Sequence, residues 1–392
     1  MTTPQVIQQK FTVEFSFPVV FTRDLFQPDN LVLRDTLCRL GEPGPHRTMV
    51  ILDAGVAGAF PLLAASVIAY AQIHAATIEL VAPPSVVPGG EVIKNDLSGL
   101  LALVDRMVDQ RLCRHSVVLV VGGGAVLDAV GFAAALVHRG LRLVRVPTTV
   151  LAQDDSGVGV KNAINYRNTK NLLGTFAPPF AVINDFNLLC RLPDAAWTDG
   201  IAEAFKVAMI KDRAFFDWLC QHARALSARD EAAMEYLVRR CAELHLEHIA
   251  GNGDPFELGQ ARPLDFGHWS AHRLEALSGY AISHGRAVAI GLALDAWYAV
   301  LNGWLDTDSF EALYAGLTES GFDLWHGLLE QAGEEGVLLL LHGLHEFREH
   351  LGGRLCITMP RGVGAKFEVH EMDHHQVVAA VRKLKEMAGL RA

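Results

Sequence analysis

The sequence predicts an α/β domain followed by an all-α domain. In the first half, short runs rich in Val, Ile and Leu alternate with helical patterns, which is typical of a parallel sheet covered by helices. Beyond Leu192-Pro193 the pattern changes to long segments with apolar residues three and four positions apart. A chain of 392 residues is also longer than one hydrophobic core usually serves. We therefore predict an α/β domain at 1–192 and a helical domain at 193–392.

The predicted strands lie in the first half. Polar and apolar residues alternate from Gln8 to Phe21, which predicts a half-buried strand at the edge of the sheet. Continuous apolar runs predict buried parallel strands at Met49–Asp53, Ile78–Ala82, Val117–Val121, Leu143–Val146 and Phe180–Asn184.

Three glycines, Gly122, Gly123 and Gly124, end the central strand just before a helix that begins near Ala125. Glycines have no Cβ, so a phosphate can approach this backbone and meet the free N–H groups of the helix. This arrangement predicts a Rossmann-like dinucleotide site. The run lacks the spacing of the G-x-G-x-x-G pattern, and a strand-to-helix turn without a ligand fits equally well.

Acidic and basic residues near the predicted sheet edge have two interpretations each. Asp53 ends a predicted strand, where it would either bind a ribose hydroxyl or cap the following helix. Glu91 and Lys94 are three residues apart, so they fit a binding site or an exposed helical ion pair.

The second half consists mainly of predicted helices. Extended structure is predicted at Arg354–Met359 and Phe367–His370. Apolar residues at helical spacing predict helices at 215–226, 231–249, 268–277, 284–301 and 376–389.

Composition excludes some classes of function. The net charge of −10 argues against nucleic acid as a partner. The six cysteines occur singly, which is typical of reduced thiols. The sequence shows neither a signal-peptide pattern nor an apolar run long enough for a membrane, so we predict a soluble cytoplasmic protein.

One carboxylate and two histidines form a candidate metal centre. His268 and His284 each begin a predicted helix after a short loop, and Glu203 lies early in the helical half. Two imidazoles and a carboxylate suit Zn²⁺ with positions left open for substrate or water. His272, four residues after His268, would share its helix face as a fourth ligand or a phosphate contact. With 17 histidines in the chain, structural roles for these residues stay open.

Several cations lie beside glycine loops or predicted helix ends, where a phosphate would be bound. Surface lysines would show the same pattern, so either reading is open for each residue. These residues are Arg139, Lys161, Lys170 with its neighbour Asn171, and Lys206.

Taken together, these segments resemble the sugar phosphate cyclases, the superfamily of 3-dehydroquinate synthase and the valiolone-type synthases. The resemblance covers about residues 45 to 300 and implies a dehydroquinate synthase-like fold. The matching segments are GGGAVLDAVGFAAALVHRG, VPTTVLAQDDSGVGVKNAIN, TKNLLGTF, GIAEAFKVAMIKD, ARPLDFGHWSAH and SHGRAVAIG.

The resemblance implies two cofactors, NAD⁺ and Zn²⁺ or Co²⁺. The implied metal ligands are Glu203, His268 and His284. The positions implied for NAD⁺ are Asp53, Glu91, Lys94, Gly123, Gly124, Asp128, Thr148 and Thr149.

The resemblance also implies the residues around the substrate, a small ketose phosphate. Arg139 matches an arginine that family members lend to the neighbouring subunit, which implies a homodimer. Catalytic roles are implied for Asp155, Lys161, Lys206 and His272, and substrate contacts for Lys170, Asn171, Arg262 and Asp265.

The implied reaction involves no net redox change. NAD⁺ oxidises a secondary hydroxyl beside the metal, which acidifies the adjacent C–H so that phosphate leaves. The phosphate oxygens can take the proton. The hydride then returns, the ring opens, and an intramolecular aldol step closes a carbocycle.

Departures from the 3-dehydroquinate synthase pattern select the substrate. Asp265 replaces an asparagine three residues before His268, and it would repel the substrate carboxylate of those synthases by about 4 kcal/mol at 4 Å and an effective dielectric of about 20. Pro360, beside Arg361, lies where those synthases have a phosphate-site lysine. A second expected lysine is missing, and that region offers His245, Glu247 and His248. These changes predict sedoheptulose 7-phosphate as the substrate.

Two further departures leave the branch and product open. His272 is retained, whereas 2-epi-5-epi-valiolone synthases typically replace it, so a 2-epi-valiolone synthase or another branch also fits. Val160 stands where many relatives have a glycine, which leaves the geometry of that loop open.

Other functions also remain open. Besides a 3-dehydroquinate synthase, they are an iron-type alcohol or polyol dehydrogenase, which shares the glycine turn, and a non-catalytic NAD-binding scaffold.

Overall fold

A parallel sheet fills the first half of the chain. The computed structural model describes residues 6–167, 169–251, 256, 264–333, 336–350 and 353–390. Within these residues the sheet has seven strands in the order β1-β9-β6-β5-β2-β3, with β4 also paired to β2. Its strands are Val19–Thr22 (β1), His46–Asp53 (β2), Ile78–Leu80 (β3), Ser85–Val87 (β4), Val117–Gly122 (β5), Arg142–Pro147 (β6) and Ala181–Asp185 (β9).

Helices cover both faces of this sheet, as expected for buried parallel strands. Side chains alternate along β5, so Leu119 and Val121 pack on one face while Val118 and Val120 pack on the other. The helices are Val32–Cys38 (α1), Ala54–Ala59 (α2), Leu63–Ile73 (α3), Leu97–Asp109 (α4) and Gly124–Leu136 (α5), with a 3-10 turn at Gly90–Asn95.

The prediction of an edge strand was right for Val19–Phe21 and wrong for the residues before it. β1 pairs in parallel with β9 at the edge of the sheet. Residues 8 to 18 form no strand, and Phe11 is 85% exposed. Alternating polarity gives a strand one apolar face to bury. A strand also needs a neighbouring strand for its backbone hydrogen bonds, and the alternation does not supply one.

A β-hairpin, Lys161–Tyr166 (β7) with Thr169–Phe176 (β8), was not predicted. Arg145, buried in β6, holds the loop before it by donating to the carbonyl oxygens of Gly157 (3.2 Å), Gly159 (2.9 Å) and Lys161 (2.9 Å). These bonds define the loop around Val160, whose geometry the sequence left open. Within this loop, Ala152–Ser156 forms a short π-helical turn.

The second half packs its helices around one largely buried helix. α10 is buried along most of its length and contacts α6, α9 and α13. The elements are Asp194–Lys211 (α6), Arg213–Ser227 (α7), Glu231–Gly251 (α8), His268–Leu277 (α9), His284–Leu301 (α10), Thr307–Glu319 (α11), His342–His350 (α12), Ile357–Pro360 (β10), Lys366–Val369 (β11) and His374–Met387 (α13). The five predicted helices are confirmed, and extended structure is found at both predicted C-terminal segments, in the first only from Ile357 onward. Helices α6, α11 and α12 were not predicted.

Among the helices of the described residues, none combines the length and apolar character needed to cross a bilayer.

Candidate active site

Three side chains from three helices converge on one point. Glu203 of α6, His268 of α9 and His284 of α10 each offer a ligand atom within 4.8 Å of the other two. His268 Nε2 lies 3.6 Å and His284 Nε2 3.3 Å from Glu203 Oε1. Both Glu203 oxygens are buried, and Oε1 faces the two imidazoles. A buried carboxylate facing two imidazole nitrogens is a donor set that fits a divalent metal such as Zn²⁺.

Close backbone approaches bring these helices together. A Cβ on Gly285 would lie 2.3 Å from Asp199 O of α6, one turn before Glu203. Gly267, with φ of 77°, lets the chain turn directly into α9, and a Cβ there would lie 2.8 Å from Leu292 N of α10. Glycine is required at both positions because any side chain would separate the helices that carry the ligands.

Both imidazoles are fixed through Nδ1. His268 Nδ1 lies 3.0 Å from the carbonyl oxygen of Phe266, and His284 Nδ1 lies 3.1 Å from Glu275 Oε2. Both partners accept hydrogen bonds, so each Nδ1 carries a proton and each Nε2 is the nitrogen left for a metal. Burial alone would lower the pKa of His284, but Glu203 and Glu275 raise it to about 9, so its Nε2 would lose a proton on metal binding.

A lysine lies beside the carboxylate of this group. Lys206 Nζ forms a short ion pair with Glu203 Oε2, and both side chains are almost completely buried. Burial alone would lower the pKa of Lys206, but Glu203 and Asp155 raise it above the usual range. Burial alone would raise the pKa of Glu203, but Lys206 and His268 hold it well below the usual range. Both groups are therefore charged at neutral pH.

The remaining predicted catalytic residues lie close to this centre. His272 has its ring centroid 5.4 Å from that of His268 and 6.0 Å from that of His284. Asp155 Oδ1 is 2.8 Å from His245 Nδ1. Burial lowers the pKa of Lys206, and Glu203 and Asp155 raise it. The Asp265 carboxylate also raises this pKa, by less than those two.

The predicted NAD⁺ residues of the sheet meet at its carboxyl edge. Asp53 and Gly123 follow adjacent strands, and Asp53 Oδ2 accepts a 3.4 Å hydrogen bond from Gly123 N. Asp53 also caps α2 by accepting from Gly55 N at 2.7 Å, so the capping interpretation is correct. Thr149 lies beside this turn, because a Cβ on Gly123 would be 3.3 Å from Thr149 Cγ2. Thr148 is buried with its hydroxyl unpaired among the described residues.

This edge fits a dinucleotide. α5 begins at Gly124 and directs its free N–H groups at the open edge of the sheet. Gly124 lets Ser156 pack against this turn, since a Cβ there would lie 2.7 Å from Ser156 Oγ.

Glu91 and Lys94 have separate partners in the structure, so the helical ion pair is not formed. Lys94 Nζ lies 2.7 Å from Asp128 Oδ2 and forms a short hydrogen bond to Asn171 Oδ1. Glu91 Oε1 lies 3.6 Å from Lys170 Nζ. The Gly90–Asn95 turn thus joins α5 to the β7–β8 hairpin.

Glu275 is a site residue that the sequence reading missed. Its side chain is 4% exposed, and its Oε1 lies 2.9 Å from Lys170 Nζ. The signal was available, because an acid stands seven residues after His268 on the same face of a predicted helix.

Three further predicted residues are Arg262, Lys161 and Arg139. Arg262 falls outside the described residues. Lys161 is exposed at the start of β7. Arg139 is exposed, and both it (φ 65°) and His138 (φ 51°) have left-handed backbones.

Two family models match most of this chain in sequence. The N-terminal model of 3-dehydroquinate synthase matches residues 84–199, and the C-terminal model matches residues 200–340. The chain belongs to the 3-dehydroquinate synthase family. It is therefore an enzyme of the sugar phosphate cyclase type.

Solved structures share the whole architecture with this sugar phosphate cyclase. The 2-epi-5-epi-valiolone synthase of Streptomyces hygroscopicus subsp. jinggangensis 5008, with NAD⁺ and Zn²⁺ bound, is 27% identical with a TM-score of 0.85. The match covers 97% of this chain and 100% of that one. A 2-deoxy-scyllo-inosose synthase with carbaglucose-6-phosphate, NAD⁺ and Co²⁺ is 22% identical, with a TM-score of 0.73 over 94% of this chain and 96% of that one.

A dehydrogenase shares the fold more distantly. Glycerol dehydrogenase from Schizosaccharomyces pombe is 16% identical, with a TM-score of 0.63 over 97% of this chain and 94% of that one. At this identity the likeness extends to the fold alone.

Proposed function

We propose that this cyclase converts sedoheptulose 7-phosphate into a valiolone-type C7 cyclitol with loss of phosphate. Asp265 carries the proposal. It lies on the loop that leads into α9, and its carbonyl oxygen accepts a 3.1 Å hydrogen bond from the backbone N–H of His268. A carboxylate at this place disfavours a substrate that carries a carboxylate of its own and tolerates a ketose phosphate that lacks one. The likeness to a 2-epi-5-epi-valiolone synthase supports the same choice.

Glu203, His268 and His284 would hold Zn²⁺ or Co²⁺, and the edge formed by Asp53, Gly123 and Thr149 would hold NAD⁺. When bound, NAD⁺ supplies a reversible hydride acceptor and the metal supplies a Lewis acid. The remaining cofactor positions are Glu91, Lys94, Gly124, Asp128 and Thr148, of which Lys94 and Asp128 are paired with each other.

The chain's own residues bind and orient the substrate. Lys206 and Lys170 are held in place by buried carboxylates, so they present fixed positive charge to a phosphate or alkoxide. Asp155 is kept ionised by Lys206 and His245, and we assign it a catalytic role beside the substrate. We also assign catalytic roles to Lys161 and His272, and substrate contacts to Asn171 and Arg262.

We further propose a homodimer in which Arg139 reaches the neighbouring site. Two successive non-glycine residues with positive φ, His138 and Arg139, are costly and occur where structure serves a function. They present Arg139 outward on an exposed turn. We place the protein in the cytoplasm because all six cysteines are free thiols.

Phosphate release from two substrates tests this function. The protein is incubated with NAD⁺ and Zn²⁺ or Co²⁺, and separately with sedoheptulose 7-phosphate and with 3-deoxy-arabino-heptulosonate 7-phosphate. We expect release from the first alone, with a carbocyclic product in the NMR spectrum that is absent in Glu203→Ala and His268→Ala variants.

Other outcomes identify the alternatives. Release from the second substrate alone would identify a 3-dehydroquinate synthase and overturn the reading of Asp265. Release from neither, with net NAD⁺ reduction by an alcohol, would indicate a metal-dependent dehydrogenase. Inertness in all assays would indicate a non-catalytic scaffold.

A further inference from the structure

Glu275 connects two parts of the site that lie on different halves of the chain. It stands on α9, with its side chain 4% exposed. Oε2 lies 3.1 Å from His284 Nδ1, and Oε1 lies 2.9 Å from Lys170 Nζ. One carboxylate therefore binds both a candidate metal ligand of α10 and a lysine of the β7–β8 hairpin.

The contact to His284 determines which nitrogen faces the metal. A carboxylate accepts hydrogen bonds, so it selects the form of His284 with its proton on Nδ1. Nε2 then faces Glu203 Oε1, 3.3 Å away, as the nitrogen left for a metal ion. Carboxylates in this position orient the ring and increase the basicity of the ligand nitrogen.

The contact to Lys170 has a second consequence. Lys170 also lies 3.6 Å from Glu91 Oε1, on the turn at Gly90–Asn95. Burial alone would lower the pKa of Lys170, but Glu275 and Glu91 raise it, so the ammonium stays charged. Glu275 thereby ties the hairpin of the sheet half to the helix that carries His268.

An alternative is a second cation held by His272, Glu275 and His284, since one ligand atom of each lies within 4.8 Å of the others. The contacts of Glu275 argue against it. Both of its oxygens are already paired, Oε1 with Lys170 and Oε2 with His284 Nδ1, whereas Glu203 keeps Oε1 facing the two imidazoles.

We propose that Glu275 is a positioning residue, which fixes His284 for a single metal ion and holds Lys170 in the same site. The inference rests on the metal centre of the proposed function and needs neither the proposed substrate nor turnover.

Cobalt binding tests it. Metal-free wild type, Glu275→Gln and Glu275→Ala are titrated with Co²⁺, and the visible absorption of the bound ion reports affinity, coordination and stoichiometry. We expect one ion per chain, bound about 10- to 100-fold more weakly in both variants and with an altered spectrum. Glu346→Gln is the matched control. Glu346 Oε1 lies 2.8 Å from Nη1 of Arg273, which is on α9 like Glu275, but the Glu346 side chain is 49% exposed. This variant should bind as wild type does.

A Lys170→Met variant distinguishes a positioning role of Glu275 from a second cation site at His272, Glu275 and His284. With Glu275 still bound to His284, we expect one Co²⁺ bound at least as tightly as in wild type. Two ions in wild type would overturn the proposal in favour of a second cation site. Unchanged affinity and spectrum in Glu275→Gln, with melting temperatures equal, would also overturn it.

The outcome is independent of the proposed substrate. If wild type binds cobalt as expected but releases no phosphate from sedoheptulose 7-phosphate, the proposed function fails and the role of Glu275 stands. If wild type binds no cobalt, the metal centre and this inference both fail.

Discussion

Asp155 and His245 face each other in the candidate active site, with 2.8 Å between Asp155 Oδ1 and His245 Nδ1. Burial alone would raise the pKa of Asp155, but Lys206 and His245 outweigh it and hold the pKa below the usual range. His245 lies in the region where the family pattern led us to expect a lysine. The structure shows that a histidine from α8 supplies a contact to Asp155 there.

A His245→Gln variant should impair catalysis by a similar factor at every pH. Asp155 stays ionised without the imidazole, because Lys206 has the larger part in lowering its pKa. The carboxylate loses a partner that holds it in place, so we expect phosphate release to drop about tenfold. Full pH profiles of kcat and kcat/KM check this. His115→Gln, which changes an exposed histidine paired with Glu42, should leave the rates unchanged. Wild-type rates in His245→Gln would contradict the role given to His245.

The buried pair Glu203–Lys206 should show strong coupling in stability. Glu203→Gln leaves the Lys206 ammonium with a poorer set of partners in a buried site, so the metal-free protein should lose about 3 kcal/mol in its free energy of unfolding. The Glu203→Gln/Lys206→Met double variant removes both charges and should recover most of that loss. Urea unfolding in a chelator measures both. Additive losses in the double variant would mean that the two side chains do not interact.

Periodicity predicted the elements whose faces differ in polarity. The helices that begin at His268 and His284 were predicted with the bounds that the structure has, because their apolar residues follow the helical repeat and short loops precede both histidines. The β7–β8 hairpin was missed because its residues are mostly polar or small, and its stability comes from Arg145 and from packing on α5.

The sequence predicted which residues belong to the site better than it predicted their contacts. Spacing and family resemblance placed Glu203, His268 and His284 together, and the structure brings them within 4.8 Å. Of the two interpretations of Glu91 and Lys94, the helical ion pair is not formed. Their partners, Lys170 and Asp128, lie on elements distant in sequence, and local spacing carries no information about such pairs. Glu275 was missed although its spacing from His268 could be read in the sequence, and its contacts to Lys170 and His284 could not.

Gly123→Ala should weaken NAD⁺ binding without unfolding the protein. Gly123 has φ of −73° and ψ of 171°, which alanine adopts freely, and its Cβ would lie 3.3 Å from Thr149 Cγ2. The new methyl occupies the edge where the pyrophosphate would approach the backbone. We expect NAD⁺ affinity to fall about tenfold or more, with a melting temperature close to that of wild type. Calorimetric titration with NAD⁺ and thermal unfolding measure the two quantities. Unchanged affinity would move the cofactor away from this turn.

Asp154 should make the stability of the protein depend on pH. It is completely buried, neither of its oxygens has a hydrogen-bond partner among the described residues, and burial raises its pKa well above the usual range. The pKa of an aspartate in the unfolded chain is about 3.9. The contribution of the neutral Asp154 to the free energy of unfolding is therefore complete below that pH, and it is lost as the pH rises through the folded pKa. Asp154→Asn keeps the shape and removes the titration.

Urea unfolding of both proteins at pH 4.5 and pH 8 tests this effect. The stability of Asp154→Asn relative to wild type should be higher at pH 8 than at pH 4.5. An exposed control, Asp109→Asn, should show no such difference. Equal differences at both pH values would show that the Asp154 carboxyl is ionised in the folded protein throughout.

Subunit mixing decides whether Arg139 acts across a dimer interface. Arg139→Ala removes the arginine, and Glu203→Ala removes a proposed metal ligand, so each homodimer should be inactive. In a mixed dimer the subunit with intact metal ligands would receive Arg139 from its neighbour, and one of the two sites would work. Random pairing of equal amounts should therefore restore about one quarter of wild-type phosphate release. If Arg139 served its own subunit, mixing would restore nothing, because every site would lack either the arginine or the metal ligand. Sedimentation of the mixture confirms that dimers are present, so an inactive mixture can be attributed to an arginine that acts within its own chain.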